Sequence, residues 1–338
     1  MILEWLFPLA GSGGVFGLPL SGLLVALLAG WLLDLLLGDP RWLPHPVVAF
    51  GRLIAFGEHR LNGGGHRRLK GGALAVGLVL LVFAAAMAVR WLLAYGGCWA
   101  VVVFDGVAVF FCLAGTTLIR EVRAVFEALD CSLDRGRAQV ARIVGRDTQR
   151  LSAQEVRTAA LETLAENLSD GVVAPLLWFL LLGAPGMLAY KMVNTLDSMV
   201  GYRTERYRLF GTVAARQDDV ANFVPARLTA LLMIVGSRLL PRSARRLSLP
   251  AQCAHVWRYG PQHASPNSGW PEAALSSVLD CRFGGPHDYF GQRFDKPYIG
   301  SHDRELTTAD MKTAVRVNRA AEVLMVLLVA VAFCCTAL

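Results

Sequence analysis

Residues 190–227, YKMVNTLDSMVGYRTERYRLFGTVAARQDDVANFVPAR, concentrate Lys191, Asn194, Asp197, Arg203, Arg206, Arg216, Asp218, Asp219, Asn222 and Arg227 between two apolar stretches. Ionisable side chains held beside lipid are costly, so acids, bases and amides mixed this densely point to a site. A solvated loop whose arginines merely orient the chain needs neither the Asp218–Asp219 pair nor the interleaved Asn, Lys and Gly. Tyr190, Asn194 and Asp197 share one helical face, flanked by Lys191 and Ser198. Asp218 and Asn222 share another, with Asp219 adjacent. Mg²⁺ keeps several waters and typically takes one or two carboxylates plus substrate phosphates, a task that suits Asp218 and Asp219. Lys191, Arg203, Arg206 and Arg216 suit phosphate oxygens or substrate carboxylates.

A second set lies upstream. Glu162, Glu166 and Asp170 recur at i, i+4 and i+8, which an α-helix places on one face. Like charges at that spacing destabilise a helix by roughly 0.2–0.5 kcal/mol per pair, a penalty that a bound cation removes. The competing reading is a solvated acidic face paired with Arg157. Asn167 beside Glu166, and Asp170-Gly171 at the membrane edge, favour a site. Two further motifs are rigid: GDPRWLPHP, with His45 between two prolines that fix the backbone, and SPNSGWPE, which carries Asn267, Trp270 and Glu272. Each is also an ordinary way to stop a helix or turn a chain.

These groups must be positioned by membrane helices. Of 338 residues, 54% are hydrophobic and 17% charged, and the mean hydropathy is +0.45; soluble domains carry about 25% charge. The segments 18–37, 73–95, 99–119 and 320–338 are each about long enough to cross a hydrocarbon core. Backbone amides in lipid must be paired within the chain, so these are helices. Segment 172–182 is apolar but too short to cross; Gly-Ala-Pro-Gly at 183–186 breaks it and 187–200 resumes, which predicts a re-entrant hairpin. Segment 225–240 is a marginal span or a second dipping helix. The expectation is one all-α, polytopic membrane domain over 1–338, with re-entrant or broken helices and loops that form the site. Ser152 and Glu155 fit a capping box that opens a helix within the loop 120–171.

The net charge of +7 resides in particular loops. The loop 38–72 carries Arg41, Arg52, Arg60, Arg67, Arg68 and Lys70, and the loop 120–171 carries eight arginines. The positive-inside rule accounts for this without a nucleic-acid partner and puts both loops in the cytoplasm, with the N-terminus outside. Residues 1–20 lack a basic n-region and carry Glu4, unlike a cleavable signal peptide. The seven cysteines form no C-x-x-C and read as small buried apolar residues rather than disulfides or zinc ligands. Asp34 near the end of its span is expected to face Arg41; Asp105 has no evident partner. No P-loop, dinucleotide fingerprint, G-x-S-x-G or H-E-x-x-H occurs.

Five motifs, in order, carry a specific resemblance: LLDLLLGDPRWLPHPV, AENLSDGVVAPLLW, YKMVNTLDSMVGYR, FGTVAARQDDVANFVPARLTA and SPNSGWPEAA. From residue 18 to the C-terminus the chain resembles the adenosylcobinamide-phosphate synthase (CobD/CbiB) family of cobalamin-biosynthesis membrane enzymes. It departs at Leu161-Glu-Thr-Leu164, where a Glu-Ser pattern is expected, and at Cys281-Arg-Phe-Gly-Gly285, where a more aliphatic stretch is expected. The resemblance implies an amide-forming ligase that joins adenosylcobyric acid to aminopropanol phosphate or a similar amino-alcohol phosphate. ATP and Mg²⁺ would be co-substrate and metal, with no covalent cofactor. On that reading Asp218, Asp219 and Glu166 hold Mg²⁺; Lys191, Arg203 and Arg206 offset phosphate charge, with Arg216 and Asn194 as further substrate contacts; Asp197 or Asp170 takes the ammonium proton; and His45, Asn267, Trp270 and Glu272 contact the corrin or the amino-alcohol. The site would face the cytoplasm from the cell inner membrane. Homo-oligomerisation is compatible with the sequence and not fixed by it. The competing class is a transporter or membrane-bound regulator, suggested by Gly-Pro-broken helices beside charges, against which stand the absence of an internal repeat and only about four confident spans.

Overall fold

The computed structural model describes residues 20–40, 42–241, 247–289, 292–294 and 296–335. In order these form α1 (Leu20–Leu37), α2 (Pro46–Leu61), α3 (Arg67–Ala94), α4 (Cys98–Cys112), α5 (Gly115–Cys131), α6 (Leu133–Val140), α7 (Ala153–Leu168), a π turn (Ser169–Val173), α8 (Ala174–Val200), α9 (Thr212–Ala221), α10 (Phe223–Arg238), α11 (Leu249–Tyr259) and α12 (Gly269–Leu279). Four short strands follow, β1 (Phe283–Gly284), β2 (His287–Tyr289), β3 (Gln292–Phe294) and β4 (Tyr298–Ile299), and then α13 (Thr308–Cys335). Both strand pairs, β1 with β4 and β2 with β3, are antiparallel.

Four helical stretches are long and apolar enough to cross a membrane: Arg67–Ala94, Cys98–Cys131, Ala153–Val200 and Thr308–Cys335, with a fifth if α9 and α10 count as one bent span. The protein is an all-α polytopic membrane protein. Expected segment 18–37 corresponds to α1, a shorter apolar helix of 18 residues. Expected segment 99–119 is interrupted at Leu113, which is extended (φ −83°, ψ 145°). The chain restarts as α5 at Gly115, where a Cβ would lie 3.0 Å from the Glu322 carboxylate.

Contacts group the chain into two compact units. The first comprises Met1–Ala114, Ala174–Asn222 and Val326–Leu338. In it α1 meets α4 through small residues: a Cβ on Gly30 would come within 2.5 Å of the Gly106 carbonyl oxygen. Such close approach is how helices gain packing contact where no water drives them together. α8 breaks where the sequence places the break. Gly183 sits at φ 65°, ψ −163°, a backbone state that glycine adopts without strain. A Cβ on Gly186 would lie 3.0 Å from the carbonyl oxygen of Trp178, although eight residues of straight helix rise about 12 Å. The break is therefore a sharp turn rather than a gentle bend.

The second unit comprises Gly115–Val173 and Phe223–Met325. Ser152 and Glu155 form the expected capping box at the start of α7: Glu155 N–H donates to Ser152 Oγ at 3.3 Å and Ser152 N–H to Glu155 Oε2 at 2.7 Å. α7 is also tied to α13, since Asn318 Nδ2 donates to the Leu164 carbonyl at 3.2 Å. The expected loop 120–171 is thus largely helical, and the polar segment after residue 252 builds α11, α12 and the strand pairs.

The cysteines are all unbridged, but only Cys112 and Cys281 are buried; the other five are exposed, so the expectation of buried packing holds for two. Arg41, expected beside Asp34, lies outside the described residues, as do residues 1–19. Asp105, which has no evident partner in the sequence, has one in the fold. Arg90 Nη2 donates to Asp105 Oδ2 at 2.9 Å, and both side chains are fully buried. Removing one partner of a buried pair strands the other charge, at about 3–5 kcal/mol. Asp105→Asn should therefore lower stability by roughly that amount, read as a fall in the thermal midpoint of detergent-purified protein, and Arg90→Leu combined with Asp105→Leu should recover most of it. A double variant no better than the single would show that the pair does not set the cost.

Candidate functional site

In the first unit, the groups singled out in residues 190–227 divide. Asp218 lies on α9 facing Asn194 and Asn222, within electrostatic reach of Asp197 and Asp219. Asp219 in turn lies near Arg203. Asp218 Oδ1 and Asn222 Nδ2 are buried with no hydrogen-bond partner among the described residues, and the Tyr190 hydroxyl donates to Asn222 Oδ1 at 2.8 Å. Trp178 Nε1 donates to the Ala221 carbonyl at 3.3 Å. Both arms of the broken α8 therefore hold the end of α9. Asp197 closes over Gly201, whose N–H donates to the Asp197 carbonyl at 2.7 Å.

Other expected members sit elsewhere in this unit. Lys191 Nζ donates to the Cys112 carbonyl at 3.4 Å. Arg216 lines a separate, largely apolar cavity of about 720 Å³ with Trp178, Leu182, Tyr190 and Val193. Arg206 is held in a two-pronged pair with Glu58, at 3.0 and 2.9 Å; this guanidinium draws the Glu58 carboxyl below its usual range. His45 caps α2: its Nδ1 accepts from Val47 N–H at 3.2 Å, its Nε2 lies 3.6 Å from Asp39 Oδ1, and Phe111 packs edge-on against the ring. The backbone that the prolines fix is used to start a helix.

In the second unit, the SPNSGWPE motif opens α12 and faces α7. Glu162, Glu166 and Glu272 line one polar cavity of about 110 Å³ with Arg146, Asn167 and Lys296. Glu162 accepts from Arg146 Nη2 at 3.1 Å and from Gly284 N–H at 2.6 Å. Gly284 has φ 77°, and a side chain there would run into the Pro297 carbonyl; only glycine lets this N–H turn to the carboxylate. Ser268 Oγ donates to Glu166 Oε1 at 2.8 Å. His263 Nδ1 accepts from Ser265 N–H at 2.9 Å, so in the neutral ring the proton is on Nε2, which lies 3.9 Å from Glu272 Oε1. Asp170, expected on the face of Glu162 and Glu166, falls in the π turn that follows α7 and is not among the lining residues; the wider turn shifts the helical phase that the i+8 spacing assumes.

Asn267 and Trp270 serve Arg227 in this unit. Arg227 Nη1 donates to Asn267 Oδ1 at 3.3 Å, and the guanidinium lies 4.5 Å from the Trp270 ring centroid. The sequence reading noted Glu162 without placing it in the site, and missed Arg146, His263, Ser268 and Lys296. Ser268 lies inside a motif already marked, and His263 stands two residues before it; Arg146 and Lys296 carry no local signal.

The polar cavity offers carboxylate oxygens from Glu162, Glu166 and Glu272, but Arg146 and Lys296 stand beside them. Among the described residues no three His, Cys, Asp or Glu side chains are disposed to hold an ion by themselves. Asp218 and Asp219 belong to the first unit and Glu166 to the second.

Burial, and then repulsion from Glu162 and Glu166, push the Glu272 carboxyl well above its usual range, against Lys296 and Arg146. Burial and Lys296 push His263 down, against Glu166 and Glu162. The folded chain thus keeps the Glu272 proton to higher pH than the unfolded chain. The stability this group contributes is full below the ordinary carboxyl range and is lost as pH rises through the elevated value. His263 acts in the opposite sense, below about pH 6.5, its ordinary value. Glu272→Gln, which cannot ionise, should therefore lose less thermal stability than the parent across the pH range above ordinary carboxyl values. Parallel unfolding curves across that range would show that Glu272 is ionised in the folded protein throughout it.

The family model described as "CobD/Cbib protein" matches residues 27–318. The chain is 46% identical over 317 residues to the cobalamin biosynthesis protein CobD of Geobacter metallireducens, covering 89% of this chain and 93% of that one. It is 42% identical over 299 residues to CobD of Klebsiella pneumoniae, covering 87% and 92%, and 40% identical over 314 residues to the cobalamin biosynthesis protein CbiB of Salmonella typhimurium, covering 90% and 95%. No solved structure matches the chain. A match over most of the length, with relatives spanned almost end to end, means that this chain belongs to the CobD/CbiB family of cobalamin-biosynthesis proteins.

Proposed function

We propose that the protein is an amide-forming ligase of cobalamin biosynthesis, joining a free propionate of adenosylcobyric acid to aminopropanol phosphate or a similar amino-alcohol phosphate, with ATP and Mg²⁺. The observation that carries the reading is the Asp218 cluster: two adjacent aspartates, a third from α8, two amides and Arg203, gathered in an otherwise apolar unit with Asp218 Oδ1 buried and unmet.

A carboxylate does not condense with an amine in neutral water until one of its oxygens becomes a leaving group. In the proposed sequence the propionate takes the γ-phosphoryl group of ATP, releasing ADP. The free amine then attacks the acyl carbon, and phosphate leaves. Asp218 and Asp219 would hold Mg²⁺, which when bound would offset phosphate charge. Lys191 and Arg203 offset charge on the transferring phosphoryl group; Arg206, committed to Glu58, is the weaker candidate. Asp197 would take the ammonium proton that the amine must lose before attack, with Asp170 as the alternative. The arginine-rich loops support a site on the cytoplasmic side of the inner membrane.

The test is turnover. Detergent-purified protein, adenosylcobyric acid, aminopropanol phosphate and Mg-ATP should give adenosylcobinamide phosphate by mass, with dependence on both ATP and Mg²⁺. Asp218→Ala should lower kcat by about 10²–10³-fold, the scale of losing one electrostatic group at a reacting centre. Full activity in a folded Asp218→Ala protein would remove the metal assignment. No product with either aminopropanol or ethanolamine phosphate would remove the ligase reading and favour a transport role.

A further inference from the structure

Of the four long apolar stretches, α3 is the least covered by the rest of the fold: 22% of its most apolar part is buried, against 56%, 72% and 44% for the others. One face of it is nevertheless walled. Leu69, Ala73, Val76, Leu80 and Phe83 recur at alternating steps of four and three residues and form a single stripe. Val213, Arg216 and Val220 of α9 line the same groove. Its basic end is a cavity of about 630 Å³ at Arg68. Its deep end is the apolar cavity of about 720 Å³, bordered by Trp178 and Leu182 of the broken α8. The two cavities share Val213, and a Cβ on Gly72 would lie 3.0 Å from the Val213 side chain. All of these residues belong to the first unit.

Charge and length together say what covers this groove. Arg68 and Arg216 are exposed, and neither makes a hydrogen bond or ion pair among the described residues. No acid lines either cavity. Basic pockets between membrane helices attract anionic headgroups, and a guanidinium beside lipid is costly until it is met. From Arg68 to Phe83 the helix rises about 22 Å at 1.5 Å per residue. That is half the ~40–45 Å thickness of a bilayer with its headgroups. The groove is thus one leaflet long, with a cation at one end and a hydrocarbon wall along the rest. A small soluble anion would leave the wall bare, and a neutral lipid would leave the cations unmet. We propose that the groove binds one anionic phospholipid, its phosphate on Arg68, Arg216 as the second cation, and an acyl chain along α3 towards Phe83. The inference does not depend on the ligase reading.

Native mass spectrometry of the delipidated, detergent-purified full chain tests it, with phosphatidylglycerol and phosphatidylcholine of identical acyl chains as probes. The parent should hold the first molecule of phosphatidylglycerol roughly tenfold more tightly than the first of phosphatidylcholine. Arg68→Gln should cut that preference by about fivefold, and Arg68→Lys should keep it. Arg68→Gln combined with Arg216→Gln should bring the two lipids level. Ala73→Phe, which fills the groove and leaves its charge alone, should weaken both. Phosphatidylglycerol should also raise the thermal midpoint of the parent and not that of the double variant. Equal binding of the two lipids by the parent, or a preference undiminished in the double variant, would overturn the site. So would an equal loss of preference in Arg150→Gln, which changes a charge in the second unit. Displacement of the lipid by inorganic phosphate would make this a free-anion site, and displacement by adenosylcobyric acid a substrate surface; either result overturns the assignment.

Discussion

Charge in an apolar chain has to be settled inside the protein, and that constraint organises this fold. Arg90 and Asp105, both fully buried, neutralise each other at 2.9 Å. Within α13, Glu322 accepts from Arg319 at 2.7 Å, and Arg319 also donates to Thr116 at 2.7 Å. Arg304 donates to both oxygens of Asp310 through Nη1 and Nη2, and Nη2 and Nε also donate to the carbonyls of Leu279 and Asp280 where α12 ends. Arg304 and Arg319 spend their hydrogen bonds on the fold, whereas in the Arg90–Asp105 pair Asp105 Oδ1 stays buried with no hydrogen-bond partner among the described residues. The contrast is with Asp218 and Glu272, buried acids that the fold brings together with other acids and supplies with few donors. Where neighbours of like charge are collected and donors are few, stability is forgone locally, a pattern common at functional sites.

Interruptions of regular helix make those collections. The positive φ of Gly183 lets α8 turn sharply, so Trp178 before the turn and Tyr190 after it both reach the end of α9. Gly284 turns its N–H onto Glu162 and so fixes the carboxylate that holds Arg146 at the cavity. Uninterrupted helices would bury their apolar faces equally well, but they could not bring these polar atoms to common points.

Features set by neighbours in the chain were legible in the sequence. Ser152 and Glu155 declare the start of α7 because a capping box needs only three residues of separation, and the Gly-Ala-Pro-Gly run marks the α8 break because its residue types forbid a smooth helix. The Arg90–Asp105 pair was not legible, because its partners lie in two helices joined by a turn and nothing in either helix names the other. Asp170 does not line the cavity with Glu162 and Glu166 for a subtler reason: the i, i+4, i+8 rule assumes constant pitch, and Asp170 falls in a π turn. His45 shows that a single motif can do two things. The prolines do fix the imidazole, and its Nδ1 accepts the N–H of Val47 at the start of α2. Lys296 and Arg146 are visible only in three dimensions.

Charge counting in the small cavity bears on what it can accept. Glu162 and Glu166 bring two negative charges and Arg146 and Lys296 two positive ones. With its proton, Glu272 adds none, and its raised range follows from burial and from those two acids. The lining is then near neutrality, and a ligand of large net charge would have to be desolvated against it at a cost that climbs steeply as the local dielectric falls.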